Sequence, residues 1–397
     1  MISVGIDVSK SKSMVCFLKP GGEIVKKPFE IAHTKDDLHS LIDLIRSFEE
    51  EVRVVLEDTG HYHWPIVYTL ADHGVFVSSV NALRMKKYCS QDLRKAKNDR
   101  LDSIHIASYG ITYWSELRPF DPGEGIYREM RLLSRQYSQI IELSVKSKVY
   151  IQSLLDKVMP GIERIFPESD KKKLLNVAKR YYHFDHILSM GEKKFKEDFC
   201  KWAKKQRYRC YERSANELFA MAQIGISALP NTTSCRIAVT EAVRRIQHID
   251  ESRIAILTQM TKLAKTLPEY SVVKSMPCIG DILTPLLIAE IGDIRRFKNK
   301  HSLVAFAGID PPVFQSGNFY GTEQHITKRG NSYLRKYGYN AMRSILQLKP
   351  EGDPIYEFIL KKRNEGKAAN EAMIAGLNKF LRIYYGKVME LYRSTDA

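Results

Sequence analysis

The chain has 397 residues, 44% of them hydrophobic, so it is long enough for two or three domains with their own cores. Lysine and arginine exceed aspartate and glutamate by 62 to 46, which gives a net charge of +16. No apolar run approaches the roughly 20 residues that span a bilayer, and the N-terminus lacks the layout of a signal peptide. These features disfavour a membrane partner and predict a cytoplasmic protein that binds nucleic acid.

The first 115 residues alternate between strand and helix patterns. The predicted elements are strands at 2–8, 13–19 and 23–31, a helix at 35–48, a strand at 52–57, a helix at 64–73, a strand at 75–80 and a helix through 99–113. Three strands followed by helix-strand-helix-strand-helix is the element order of the ribonuclease H fold. We therefore expect a ribonuclease H-like α/β domain over residues 1–115.

Four acidic residues fall where that fold could bring them together. Asp7 and Glu57 end the first and fourth strands, and Asp99 and Asp102 share one face of the last helix. Clustered carboxylates repel one another, and a hard cation such as Mg2+ relieves that repulsion and can support phosphodiester chemistry. Any one of these acids alone is more simply a solvated surface charge. The prediction of a Mg2+ site therefore depends on all four together.

Residues 116–267 are predicted to be helical. Prolines and glycines near 119–125 indicate a linker, and heptad patterns follow from Ile126 to Val158 and from Val239 to Leu267. These two seams predict coiled-coil helices that pair within one chain or between chains, with a helical bundle as the alternative. Because apolar seams need a partner, we expect a homo-oligomer, either a dimer or a tetramer.

The segment 171–213, between the seams, holds 14 lysines and arginines against five acids. Its aromatic residues are Tyr181, Tyr182, Phe184, Phe195, Phe199, Trp202, Tyr208 and Tyr211. Basic groups neutralise phosphates and aromatic rings stack on exposed bases, so the segment predicts nucleic-acid contact, with Lys171, Lys172 and Lys173 among the contacts. The alternative is a helical region whose aromatics form a core and whose lysines face water.

Residues 268–397 are predicted to form a third, mostly helical domain. The sequence SMPCIGDILTPLLIAEIGD has a tight turn between helical patterns and resembles a helix-hairpin-helix, whose backbone N–H groups contact DNA phosphates. A glycine-rich loop then carries Ser316 before Gly317. The cations expected to position phosphates after this loop are Lys328, Arg329, Arg335 and Lys336.

Six segments together resemble the DEDD transposases of insertion sequences, a family of bridge-RNA-guided DNA recombinases. They are GIDVSKSK, LEDTGHY, KNDRLDS, SMPCIGDILTPLLIAEIGD, LVAFAGIDPPVFQSG and ITKRGNSYLR, and the resemblance covers roughly residues 1–160 and 237–345. It implies that Asp7, Glu57, Asp99 and Asp102 are the acidic quartet and that Ser316 is the catalytic serine. It also implies that the first domain is RuvC-like and forms one composite active site with the coiled coil and the serine-bearing domain. A structured guide RNA that pairs with target and donor DNA is implied as well.

The chain departs from the family pattern at three positions. Asp58 follows Glu57 and competes with it for the role of the fourth-strand acid. Thr327 replaces a common serine before Lys328, and Cys278 stands where a glycine is usual in the hairpin.

The expected chemistry is attack on a DNA phosphodiester by an activated Ser316, which leaves a 5′-phosphoserine and a free 3′-hydroxyl. Two other functions stay open: a metal-dependent nuclease or junction resolvase that forms no covalent intermediate, and a non-catalytic RNA-binding protein. The actin-like ATPases also begin with an apolar strand that ends in Asp. They need a glycine-rich phosphate loop after it, whereas this chain continues with VSKSK.

Overall fold

The computed structural model describes residues 1–58, 60–90, 98–120, 125–167, 170–209, 211–311 and 325–395, and the backbone of 315–316 and 319–320. They belong to two compact units, Met1–Gly123 and Glu124–Ala397. No helix among these residues combines the length and apolar character that a membrane crossing needs.

The first unit is built on a five-stranded sheet with the order β3-β2-β1-β4-β5. Its strands are β1 (Ile2–Val8), β2 (Lys12–Leu18), β3 (Ile24–Ala32), β4 (Val52–Asp58) and β5 (Val77–Asn81). Its helices are α1 (Lys35–Arg46), α2 (Trp64–Asp72), α3 (Ala82–Cys89) and α4 (Asp99–Thr112). The central β1 is antiparallel to β2 and parallel to β4. This arrangement confirms the predicted ribonuclease H-like order, and the predicted elements agree within two residues.

Helix α3 was not predicted. It has eight residues and buries only Met85, so its apolar pattern is too short to stand out from the sequence.

The sheet separates two cores. Ile2, Val4 and Ile6 of β1 are buried with residues of α1 and α2, on one face of the sheet. Val55 of β4 is buried with Ile106 of α4 on the opposite face. Because neighbouring residues of a strand point to opposite faces, the odd-numbered residues of β1 and β4 face α4.

The described residues of the second unit form α-helices and a two-stranded antiparallel sheet. Its elements are α5 (Gly125–Val158), α6 (Lys171–Tyr181), α7 (Phe184–Ser189), α8 (Glu192–Lys205), α9 (Tyr211–Ile224), α10 (Thr233–Ala264), α11 (Glu269–Lys274), α12 (Leu283–Ile291), α13 (Lys300–Ala307), β6 (Gln315–Ser316), β7 (Phe319–Tyr320), α14 (Ser332–Leu348), α15 (Pro354–Asn364) and α16 (Ala369–Thr395). The long helices α5 and α10 pack against each other, so the two predicted seams meet within one chain.

Two hydrophobic cores lie along this helical pair. One packs α6 to α9 against the end of α5 and the first half of α10. The other surrounds α12, which is buried from Thr284 to Ile291, with α13, α14 and α16. In the turn between α11 and α12, Cys278 has a φ of +61°, a conformation that favours glycine. Cysteine at this position, where a glycine is usual, therefore has a strained backbone conformation.

Candidate active site

Asp7 and Glu57 lie side by side at the carboxyl ends of two neighbouring strands. Strands β1 and β4 are parallel, and Ile6 pairs with Leu56. The next residues along the two strands are Asp7 and Glu57, and both are half-buried.

The same edge of the sheet receives the first turn of α4. A Cβ on Gly5 would overlap the backbone of Ser103 and Ala107, so the absence of a side chain lets α4 pack directly on β1. Farther along the helix, a Cβ on Gly110 would overlap the hydroxyl of Ser3. Helix α4 therefore runs antiparallel to β1, with its N-terminus toward the carboxyl end of that strand.

That N-terminal turn carries the other two acids. Asn98 caps the helix by accepting a hydrogen bond from the backbone N–H of Arg100 at 3.0 Å. Asp99 in the first turn is exposed, and Asp102, three residues later, is half-buried. Both carboxylates thus lie on the element that packs beside Asp7.

The direction of the side chains separates Glu57 from Asp58. Glu57 is odd-numbered and shares the α4 face of the sheet with Val55, whereas Asp58 faces the side of α2. There the Asp58 carboxylate lies 3.3 Å from Nε2 of His63, which is buried beside α2. This geometry therefore favours Glu57 as the fourth-strand acid.

Lys12 is a cation beside this acidic edge that the sequence did not indicate. Its ammonium donates to the Glu30 carboxylate at 2.6 Å. This hydrogen bond is the main reason why the pKa of Lys12 is raised, and the negative charge of Asp99 raises that pKa further. The charge of Asp99 therefore acts at Lys12, the first residue of β2.

The donor set fits a hard divalent cation, because carboxylate oxygens are the ligands that such ions prefer. The four acids come from three elements and share one face and one end of the sheet. In the part of the chain that the structure describes, no three His, Cys, Asp or Glu side chains are close enough together to ligate one ion.

The side chain of Ser316 lies outside the described residues, and only its backbone, in β6, is described. The two ends of the segment that carries it are hydrogen-bonded to each other. Three backbone N–H groups donate across this base to carbonyl oxygens: Asn331 to Phe306 at 2.7 Å, Lys328 to Gly308 at 3.0 Å and Thr327 to Asp310 at 3.1 Å. We call residues 306–310 and 327–331 the clamp.

Two glycines and one arginine complete the clamp. A Cβ on Gly330 would overlap the backbone of Phe306 and Gly308, so the two backbone segments of the clamp cross in direct contact. Nη1 of Arg335 donates to the carbonyl oxygens of Ala307 at 2.9 Å and Gly330 at 3.1 Å. Burial lowers the pKa of this guanidinium. Arg335 was expected to contact phosphates, but these bonds assign it a structural role.

Thr327 also belongs to the clamp. Its hydroxyl donates to the Asp310 carboxylate at 3.0 Å, a bond that a serine hydroxyl could equally make. The departure from the family pattern at this position is therefore chemically conservative.

A fully buried glutamate that the sequence did not reveal supports the clamp. Glu290 of α12 accepts hydrogen bonds from Oγ of Ser134 at 2.7 Å and from Nδ2 of Asn331 at 2.8 Å. Arg135 of α5 lies 3.4 Å from the same carboxylate. Asn331 in turn caps α14. This network fixes the end of the clamp to α5 and α12, and it could not be found from sequence because its members are 41 to 156 residues apart.

Comparison with known proteins matches both ends of the chain. The transposase model DEDD_Tnp_IS110 matches residues 4–160, and the model of the Transposase IS116/IS110/IS902 family matches residues 270–357. The chain belongs to the IS110 family of transposases. It is therefore a DNA transposase and recombinase, as the resemblance of the six segments predicted.

Individual relatives match most or part of this transposase. The insertion element IS116 uncharacterized 44.8 kDa protein of Streptomyces clavuligerus is 23% identical over 94% of this chain and 91% of its own length. The transposase for insertion sequence element IS1111A of Coxiella burnetii is 29% identical over 34% of this chain and 37% of its own. The pilin gene-inverting protein of Moraxella bovis is 26% identical over 36% of this chain and 46% of its own length. Among solved structures, Thermus thermophilus RuvC in complex with Holliday junction substrate covers 30% of this chain and 99% of its own, at 11% identity and a TM-score of 0.24.

The basic middle of the transposase has a core made of its aromatic residues. Tyr181, Phe184, Phe195 and Phe199 are almost completely buried, and the other described aromatics of the segment pack against them. The expectation that these rings stack on bases is therefore wrong for the buried four. The alternative, an aromatic core with lysines on the surface, describes this region.

The three lysines that begin α6 differ in their surroundings. Lys172 is exposed and Lys171 is half-buried. Lys173 is only 8% exposed. Its ammonium donates to Oγ of Ser214 at 3.1 Å and to the carbonyl of Arg209 at 3.3 Å. Lys173 thus holds α6 to α9 and does not face solvent.

The remaining cations near the clamp are more accessible. Lys328 and Arg329 are exposed. Lys336 is directed toward α5, where its ammonium donates to Oγ of Ser138 at 2.7 Å and lies 3.7 Å from Glu142.

Proposed function

We propose that this transposase cuts and rejoins DNA strands through a 5′-phosphoserine on Ser316, with Mg2+ held by Asp7, Glu57, Asp99 and Asp102. The observation that carries the proposal is the meeting of β1, β4 and α4 at one edge of the sheet, with both strand acids on the α4 face. A divalent cation bound there would neutralise charge on the transferring phosphoryl group and activate the attacking oxygen.

The serine step follows from ordinary phosphoryl-transfer chemistry. The Ser316 oxygen forms a bond to phosphorus while the bond to the 3′ oxygen breaks, and the serine proton ends on the released 3′-hydroxyl. Attack by a 3′-hydroxyl from another strand reverses the step and frees the serine. The phosphoester bond is retained throughout, so rejoining needs no ATP.

The clamp suits this role because it fixes both ends of the segment that carries the serine. Three backbone hydrogen bonds join its two sides, and Arg335 and Asn331 tie them to α14. A nucleophile must be held within a fraction of an ångström of its productive position. A closed and buttressed base fixes the two points at which the segment begins and ends.

We further propose that a structured guide RNA selects the DNA, in the cytoplasm of a prokaryotic cell. The excess of cations supports a polyanionic partner. Phosphate contacts are assigned to Lys171, Lys172, Lys328, Arg329 and Lys336, whereas Lys173 and Arg335 have structural roles.

The transposase is also proposed to act as a homo-oligomer, because α5 keeps apolar side chains exposed after α10 has covered its seam. Leu143, Val145 and Val149 are 52%, 57% and 67% exposed. A second copy of the chain could cover them.

The test is a covalent adduct. Wild-type protein is incubated with DNA that borders its gene, Mg2+ and RNA transcribed from the adjoining non-coding DNA, and is then denatured. The wild type should give a protein–DNA adduct, and Ser316→Ala should bind DNA but give neither adduct nor recombination. Ser302→Ala and Ser332→Ala, from the same part of the chain, should keep the adduct.

Cleavage by the wild type without an adduct would support the plain nuclease alternative instead. An adduct formed by Ser316→Ala would assign the nucleophile to another residue. The assignment to a transposase family removes the non-catalytic RNA-binding alternative.

A further inference from the structure

A groove of about 1360 Å³ runs along the second unit between the clamp and the C-terminal helices. One wall is formed by residues 309, 311, 325, 326 and 328, which flank or belong to the clamp. The other is one face of α16, where Glu371, Ile374, Ala375, Asn378 and Arg382 follow helical spacing. We call this the α16 groove.

The α16 groove is strongly basic. Its lining includes four cations, Lys328, Lys367, Lys379 and Arg382, against one carboxylate, Glu371. Lys328, Lys367 and Arg382 are exposed. Lys379 donates to the carbonyl of Pro354 at 2.8 Å and lies over the ring of Phe358. Among the salt bridges formed by described residues, none includes any of the four cations, which leaves their charge available to a polyanion.

The clamp fixes one of these cations in an uncommon conformation. Lys328 has a φ of +54°, which side-chain-bearing residues rarely adopt. Its N–H is held by the Gly308 carbonyl at 3.0 Å. Strained positions of this kind persist where the surrounding structure over-determines them, and they concentrate at functional sites.

The size of the groove favours a polymer over a metabolite. Small-molecule sites usually measure about 300–1,000 Å³. The α16 groove is larger, and its cations are spread from Lys328 to Arg382 across both walls. Ile326 and Ile374 supply apolar surface between them, which can contact sugar rings while the cations reach the phosphates.

We infer that the α16 groove binds the sugar–phosphate backbone of the DNA strand that is delivered to Ser316. This inference rests on the proposed function, because the groove begins at the base of the segment that carries Ser316 and the polymer that reacts there is DNA. Lys367, Lys379 and Arg382 are then positioning residues that contact phosphates beside the one to be attacked. Guide RNA in the groove is the competing outcome.

The first test measures how DNA affinity depends on salt. A double variant, Lys367→Gln with Arg382→Gln, and a matched control, Lys387→Gln, are compared with the full-length wild type. Lys387 is also exposed and on α16, but it is turned about 140° around the helix from Arg382. The probe is a fluorescent duplex of the DNA that borders the gene, titrated without Mg2+ so that no chemistry occurs.

The double variant should weaken binding and make the slope of log affinity against log salt shallower by about two, since each lost phosphate contact removes about 0.9. The control should leave the slope unchanged. Thermal melting checks that both proteins fold, and the single variants replace the double one if it does not. An unchanged slope in folded variants would overturn the inference.

The second test identifies the occupant. A photo-crosslinking amino acid at position 378, inside the groove, is compared with one at position 387, in the presence of both border DNA and adjoining RNA. Crosslinks to DNA from position 378 alone support the inference, whereas crosslinks only to RNA, or none, contradict it. Both tests are repeated in the Ser316→Ala background. If the groove binds DNA there but the wild type never forms an adduct, the phosphoserine proposal fails and the groove assignment stands.

Discussion

The backbones of Gly308 and Gly330 cross so closely that a Cβ on Gly308 would lie 2.5 Å from the amide nitrogen of Gly330. Gly308 also has a φ of +64°, which a side chain would strain. The two glycines therefore close the clamp at the base of the Ser316 segment, and this gives a physical reason for the glycines in AFAGID and TKRGN.

Replacing Gly330 with alanine should open the clamp. The new methyl group would overlap the backbone of Phe306, and overpacking of this kind costs about 1–3 kcal/mol. We expect a lower melting temperature and a larger loss of adduct formation than of DNA binding. The control is Gly386→Ala, on α16, where a Cβ meets nothing within 4 Å and the melting temperature should hold or rise. Equal behaviour of the two variants would contradict the clamp.

Glu57 and its neighbour should differ sharply in their effect on strand cleavage. Glu57→Gln removes a carboxylate from the α4 face and should lower the cleavage rate by about a hundredfold or more, with DNA binding largely kept. Asp58→Asn changes the opposite face and loses only the contact to His63, which is worth less than about 1 kcal/mol because Asp58 is exposed. Cleavage is followed on labelled DNA with Mg2+. Loss of cleavage in Asp58→Asn alone would reassign the fourth-strand acid.

The basic middle should bind phosphates through the surface of α8 and not through Lys173. Lys194, Lys201 and Lys205 are exposed and share one face of α8. Changing all three to glutamine should make the slope of log nucleic-acid affinity against log salt shallower by about two to three.

Lys173→Met is the matched variant for that experiment. It should leave the salt slope unchanged but destabilise the protein by about 1–3 kcal/mol, because the Ser214 hydroxyl and the Arg209 carbonyl lose their buried partner. A flattened slope in a folded Lys173→Met protein would restore this lysine to the phosphate contacts.

The exposed apolar side chains of α5 should form contacts between copies of the chain. Replacing Val145 and Val149 with lysine keeps the helix propensity but adds charge to this surface. Sedimentation of the wild type, with and without nucleic acid, should show an oligomer, and the double variant should shift toward the monomer. A wild type that is monomeric under both conditions would rule out the oligomer, since the α5 and α10 seams already pair within the chain.

The sequence alone determined the parts of this transposase that depend on local patterns. Apolar alternation and turn residues located the strands of the first unit, and its helices other than α3, within two residues, and strand ends located Asp7 and Glu57. The heptad seams of α5 and α10 were also visible, because helix periodicity is a property of consecutive residues. The family segments identified the chemistry expected of Ser316.

Only the tertiary structure decided which residues meet across the chain. The strand pairing and the packing of α4 separated Glu57 from Asp58, and Glu290 became a support of the clamp through partners far away in sequence. The basic middle showed the same limit: composition predicted cations and aromatics together, but packing buried Lys173 and the rings while leaving the α8 lysines in water. Composition gives the number of each residue type, and periodicity describes residues that are close in sequence. Burial depends instead on how segments that are distant in sequence pack against each other.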